Sequence, residues 1–125
     1  MTVRIARVYD GPVTHDGALV MVDRLWPRGI SKKEINAEHA EWLKDVAPST
    51  QLREWFGHDP SKFAEFERRY QTELAAPPAR QAYDELCALH DKGDLTLLYA
   101  AKDETHNNAV VLQRLLTQGW QPDED

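Results

Sequence analysis

Two stretches of the chain concentrate side chains that can hold or move charge. One is KDETHN, residues 102–107, with Lys102, His106 and Asn107; the other is DRLWPR, residues 23–28, with Asp23, Arg24, Trp26 and Arg28. Imidazole titrates near neutral pH, which makes His106 the candidate for proton transfer, oriented by Asp23 or Asn107. Arginine offers a planar fork matched to phosphate or carboxylate, so Arg24 is the candidate anion clamp, with Arg28 and Lys102 adding positive charge. Trp26 could stack on a ring. Each residue also has a structural role to weigh. Asp23 and Arg24 could pair to close a loop, Trp26 could lie over the core beside Pro27, and His106 could cap or pack on a helix.

The elements that must position these residues are readable from hydrophobic patterning. Leu95 to Ala101 is continuously apolar and too short for a helix, so it reads as a strand buried on both faces. The polar turn that follows gives way to Ala109, Leu112, Leu115 and Leu116 at helical spacing, with Asp103 or Thr105 as N-cap and Gly119 as terminator. Ala18 to Val22 is a second continuous apolar run, a central strand that ends directly in Asp23. Ligands of parallel α/β sheets bind where strands end and helices begin, which is where both polar stretches fall.

The remaining elements follow in order. Val3 to Tyr9 is β-branched and stopped by Asp10-Gly11-Pro12, a first strand, and residues 13–17 form a polar loop. Ser31 caps a short helical turn through Ile35. Glu41 to Val46 fits either period but is read as a strand, which puts Lys44 on one face with Trp42 and Val46; there its ammonium either snorkels to the sheet edge or joins the site. Ser49 caps a helix over Thr50 to Phe56, stopped by Gly57. Asp59 and Pro60 start a helix with Phe63, Phe66, Tyr70 and Leu74 along one stripe, and Pro77-Pro78 separates it from a third helix ending at Gly93.

With 125 residues, 42% hydrophobic, the chain suits one domain with a real core, residues 1–121, followed by an acidic tail, 122–125, expected to fray. The net charge of −6 argues against nucleic acid as a partner, yet Arg24, Arg28, Lys32 and Lys33 run without an intervening acid, a pattern suited to a small anion. One cysteine, Cys87, excludes an internal disulfide and reads as a buried small hydrophobe. His15, His39 and His90 have no partner at ligand spacing, so no zinc site is expected, and His58 reads as part of a turn. Glycine-rich phosphate loops, nucleophile elbows and zinc-protease helices are absent from the sequence. No run is long enough to span a bilayer and no signal segment is visible, which points to the cytoplasm. The sequence names neither a cofactor nor an oligomeric state.

VDRLWPRGISKK, WLKDVAPS, LREWFGHDPSKFAEFERRY and LLYAAKDETHNNAVVL, in this order, resemble the YeaO-like branch of a bacterial family of domains of unknown function. The resemblance spans nearly the whole chain. It implies a compact α/β domain with a mainly parallel sheet flanked by helices. It also implies a polar cluster at Asp23, Arg24, Trp26, Arg28, Lys44, Lys102, His106 and Asn107, and it brings no established activity.

Two functions compete for this cluster. In the first, a small anionic metabolite, phosphorylated or nucleotide-like, is held by Arg24, Trp26, Arg28, Lys44, Lys102 and Asn107, and His106 with Asp23 supports hydrolysis or group transfer. In the second, the same pocket only binds, as a ligand sensor or protein-interaction module.

Overall fold

A computed structural model describes residues 2–13, 17–35 and 37–122. Four strands form one parallel sheet: β1 (Val3–Arg7), β2 (Ala18–Met21), β3 (Glu41–Trp42) and β4 (Leu95–Tyr99), in the order β1-β4-β2-β3. The helices are α1 (Thr50–Phe56), α2 (Phe63–Leu74), α3 (Ala79–Lys92) and α4 (Asn108–Gln118). The protein is a single α/β domain whose last strand is central, and all five residues of β4 are buried, as the apolar run from Leu95 requires.

The two faces of the sheet are covered differently. Val20, Leu95, Leu97 and Tyr99 join side chains of all four helices, among them Phe56, Phe66, Leu86 and Leu112, in one large core. Leu19, Met21 and Leu98 point the other way, and a smaller core of Val8, Val13, Ile35, Ala37 and Ala40 covers them from irregular segments. The helices therefore form one layer, and the second face is closed by loops. This leaves the carboxyl ends of β2 and β4 side by side, since Met21 pairs with Leu98.

Local chemistry accounts for most element ends. Ser49 accepts a hydrogen bond from the Leu52 N–H and caps α1, while its own N–H and hydroxyl donate to the Glu73 carboxylate on α2. Ser49→Ala removes the cap and the hydroxyl's bond to Glu73 while the N–H bond to Glu73 stays, and should lower stability by about 1–2 kcal/mol in urea unfolding, with an unchanged slope. Gly57 ends α1 and Gly119 ends α4, both in the left-handed region. Gly17, at φ +80°, lies so close to the Asp94 carbonyl that a Cβ would overlap it, and Ala18 N–H donates to that same oxygen at 3.0 Å.

The structure corrects several sequence expectations. The strand expected over Glu41 to Val46 is confined to Glu41–Trp42 at the sheet edge, and the chain turns into a 3-10 helix at Lys44–Val46. Burial drives that turn: Val46 enters the large core and its carbonyl accepts the Tyr70 hydroxyl, which an extended strand would not allow. The first strand likewise stops at Arg7 and becomes a 3-10 turn, Val8–Asp10. Asp59 caps a 3-10 turn at Pro60–Lys62 that leads into α2. The short turn expected through Ile35, by contrast, is present at residues 32–35, with Ser31 Oγ accepting from the Glu34 N–H. The N-cap of α4 is Asn107, which accepts from the Val110 N–H, because Asp103 is engaged in the preceding turn. Within the expected loop at 13–17, residues 14–16 lie outside the described residues, as do His15 and the tail at 123–125; Pro122 is buried. Among the described residues, no helix is long and apolar enough to cross a membrane.

Candidate functional site

A cleft of about 770 Å³ opens at the carboxyl ends of β2 and β4. The loop from Asp23 to Arg28 forms one wall, with Trp42 of β3 beside it. Ala47, Pro48 and Thr50 and then Arg53 and Phe56 of α1 form a second, and Ala100, Ala101 and His106 to Asn108 a third. Tyr9, His58 and Phe66 complete the lining. Asp23, Arg24, Trp26, Arg28, His106 and Asn107 thus meet at one cleft, because their strands are neighbours. Lys44 and Lys102 are exposed and stand outside the lining.

Asp23 is the internal tie of the site. One carboxylate oxygen accepts from the Ala100 N–H at 2.9 Å and the other from the Asn108 amide at 3.0 Å, so the end of β2 is fastened to the end of β4 and the start of α4. The Asn108 amide also donates to the Val22 carbonyl at 3.0 Å. Burial raises the Asp23 pKa above the ordinary carboxylate range, while its two hydrogen bonds and the charge of Arg53 pull it down. Its carboxylate is thus turned to Ala100 and Asn108.

His106 is oriented by a different carboxylate. Its Nδ1 lies 3.0 Å from Asp103 Oδ2 and 2.9 Å from the Thr105 hydroxyl, and its ring stands edge-on to Phe63 at 5.1 Å. Asp103 itself accepts from the N–H groups of Thr105 and His106, and these bonds, the Thr105 N–H foremost, hold its carboxyl below the usual range. A carboxylate facing Nδ1 favours the tautomer with the proton there, leaving Nε2 as acceptor. Asn107 is buried, and both ends of its amide are engaged, with Val110 and with the Asp103 carbonyl.

Arg24 differs from these tied groups. One terminal nitrogen donates to the Ala47 carbonyl at 3.2 Å, while Nε is buried without a hydrogen-bond partner. Trp26 donates from its indole to the Ile30 carbonyl at 2.7 Å, packs against the smaller core, and lies under the Lys32 ammonium. Trp42 donates to the Asp23 carbonyl at 2.8 Å and meets Trp26 nearly perpendicular, ring centres 6.2 Å apart. Lys44 lies over the Trp42 ring. Arg28 is exposed at the rim.

Sequence reasoning missed Arg53, Trp42, Asn108, Asp103 as the partner of His106, and the lining positions of Tyr9 and His58. Asn108 had a visible signal, the Asn107-Asn108 pair at a helix start, where the first amide caps and the second is free to reach the neighbouring strand. Asp103 sits three residues before His106, the spacing of a side chain that closes a turn on later N–H groups. Arg53 and Tyr9 carry no such mark.

The model of a family described as "Inactive DUF488-N3 subclade" matches residues 2–125. An uncharacterised protein of Mycobacterium tuberculosis is 43% identical over 114 residues, covering 91% of this chain and 92% of that one. The uncharacterised protein YeaO of Escherichia coli is 42% identical over 112 residues, covering 90% of this chain and 94% of its own length. No solved structure matches the chain at a significant level.

Proposed function

This chain belongs to the inactive DUF488-N3 subclade, the family that its sequence blocks resemble, and from that premise we propose that it binds a small anionic metabolite, phosphorylated or nucleotide-like, without turning it over. The observation that carries the reading is Arg24. Arg24 lines the cleft, one of its terminal nitrogens is bonded to the Ala47 carbonyl and Nε is buried without a partner, so its guanidinium is less fully tied than the other polar groups of the lining and its fork is left for an oxyanion. The surroundings fit a negative guest. The lining holds Arg24, Arg28 and Arg53 against one carboxylate, Asp23, in a protein of net charge −6. Asp23 and Asn107 serve in this reading as scaffold, and Lys44 and Lys102 as outer charges that favour approach of the anion.

The test is a thermal-shift screen with phosphate, pyrophosphate, sugar phosphates and dicarboxylates. Ligand at a hundred times its dissociation constant should add about 2.7 kcal/mol. Arg24→Ala should weaken binding on the order of a hundredfold, and Arg24→Lys should recover only part of it because the ammonium has no fork. An empty screen, or full affinity in Arg24→Ala, sinks the reading.

The Asp103–His106 pair favours a second reading, hydrolysis or group transfer with His106 as acid or base. The discriminating variant is His106→Gln. Under the binding reading it leaves affinity nearly unchanged and there is no turnover to lose; turnover by the wild type that disappears in this variant would replace the first reading with the second.

A further inference from the structure

The exposed large hydrophobic residues of the described chain are Tyr9, Leu25 and Trp42, 45%, 66% and 37% exposed. All three border the cleft that holds Arg24. Scattered single apolar side chains on a surface need no explanation, but their collection around one opening marks a place where something apolar is covered. Room for it exists. An inorganic oxyanion at Arg24 would fill a small part of about 770 Å³, a volume in the range of sites for drug-sized ligands.

Trp42 is the side chain best placed to meet the rest of such a ligand. Its indole N–H is fixed to the Asp23 carbonyl, one residue before Arg24, so the ring plane and the guanidinium are set by the same short piece of backbone. Trp26 braces it at 70° and holds its own N–H on Ile30, so neither indole needs a hydrogen bond from a ligand. What Trp42 offers is the part of its flat, polarizable ring that the Lys44 ammonium leaves open, Trp26 being turned to the smaller core under Lys32. Leu25 extends that surface outward, and Arg28 keeps the rim positive.

We propose that the anion taken by this cleft carries a heteroaromatic ring, as a nucleoside monophosphate does, with its phosphate at Arg24 and its ring against Trp42 and the apolar rim. The inference rests on the anion-binding reading and narrows it. A sugar phosphate would satisfy Arg24 and leave the rim exposed; a nucleotide covers both. Alanine replacement of a stacking aromatic typically weakens binding by an amount equivalent to about tenfold or more per base.

Calorimetric titration of the full chain with adenosine and cytidine monophosphates, ribose 5-phosphate, octyl phosphate and inorganic phosphate separates the possibilities. At least one nucleotide should bind about tenfold or more tighter than ribose 5-phosphate. Trp42→Ala should erase that preference by lowering nucleotide affinity more than ribose 5-phosphate affinity, and Trp42→Phe should keep part of it. Thermal midpoints of both variants check that the fold is intact. Equal affinities for nucleotide and ribose 5-phosphate overturn the inference and leave anion binding standing. Octyl phosphate binding as tightly as the nucleotides also overturns it, in favour of an alkyl chain, and a preference that survives Trp42→Ala removes the assigned platform. Absence of binding by every phosphate tested sinks the inference together with the anion reading.

Discussion

Phe66→Ala should destabilise the protein by about 3–5 kcal/mol, a large part of the roughly 5–15 kcal/mol available to an ordinary domain. Phe66 is 1% exposed and stacks on Phe56 at 4.3 Å, with Phe63 at 6.0 Å and Tyr70 at 5.7 Å. Removing the ring takes away apolar burial and three aromatic contacts at once, and α1 and α2 can close the cavity only by sliding past each other. Urea unfolding measures the effect. Phe66→Leu keeps most of the volume and should cost about 1–2 kcal/mol. Because Phe66 also lines the cleft, ligand affinity should fall in the alanine variant by more than in the leucine variant; equal stabilities of the two variants would show that the loss comes from the ring contacts and not from the cavity.

That aromatic stripe was legible in the sequence because it is a matter of period. Phe63, Phe66, Tyr70 and Leu74 recur at helical spacing, and all are buried in α2. Leu95 to Tyr99 was legible for the same reason: an uninterrupted apolar run has no side to show to water, so it must lie in the middle of a sheet. Ser49 and Gly57 mark α1 through capping chemistry local to one turn. Glu41 to Val46 failed because its pattern fits two periods and the choice is made at long range, by the Tyr70 hydroxyl and the large core that receive Val46.

The cleft divides in the same way. That Asp23 and His106 lie near strand ends follows from sequence; that they share one cleft depends on β2 and β4 being neighbours, which no local pattern encodes. Arg53 reaches the cleft from a helix assigned only a structural role, and its face is set by how Leu52 and Phe56 seat α1 on the core. Conversely, Lys44 and Lys102 are charged residues next to the right elements but exposed and outside the cleft lining. Charge near a strand end locates a site to within a turn of chain and does not choose among its members.

Asp23 gives the second large effect, and its sign with pH distinguishes scaffold from ligand group. Asp23→Ala leaves the Ala100 N–H and the Asn108 amide without their acceptor, which should cost about 3 kcal/mol and lower the thermal midpoint on the order of 10 °C. Asp23→Asn retains one acceptor oxygen but presents an NH2 group where the second acceptor was, so it should cost less than the alanine and more than nothing. The pH dependence follows from the raised pKa of the folded state. Between the ordinary carboxylate pKa and the raised one, the folded protein binds more protons than the unfolded chain, so this group makes stability fall as pH rises through that window. The opposite sign comes from Asp103, held low: its contribution is present above the ordinary carboxylate range and is lost as pH falls towards the depressed value. Urea unfolding of Asp23→Asn across that range should therefore show the falling segment removed and the acid-side loss retained. If an anion binds at Arg24, its charge opposes ionisation of the nearby Asp23 and pushes that pKa higher still, so the falling segment in the wild type should move to higher pH on saturation with ligand. A segment that stays fixed while ligand is bound would place the anion away from Asp23, and with it away from the carboxyl end of β2.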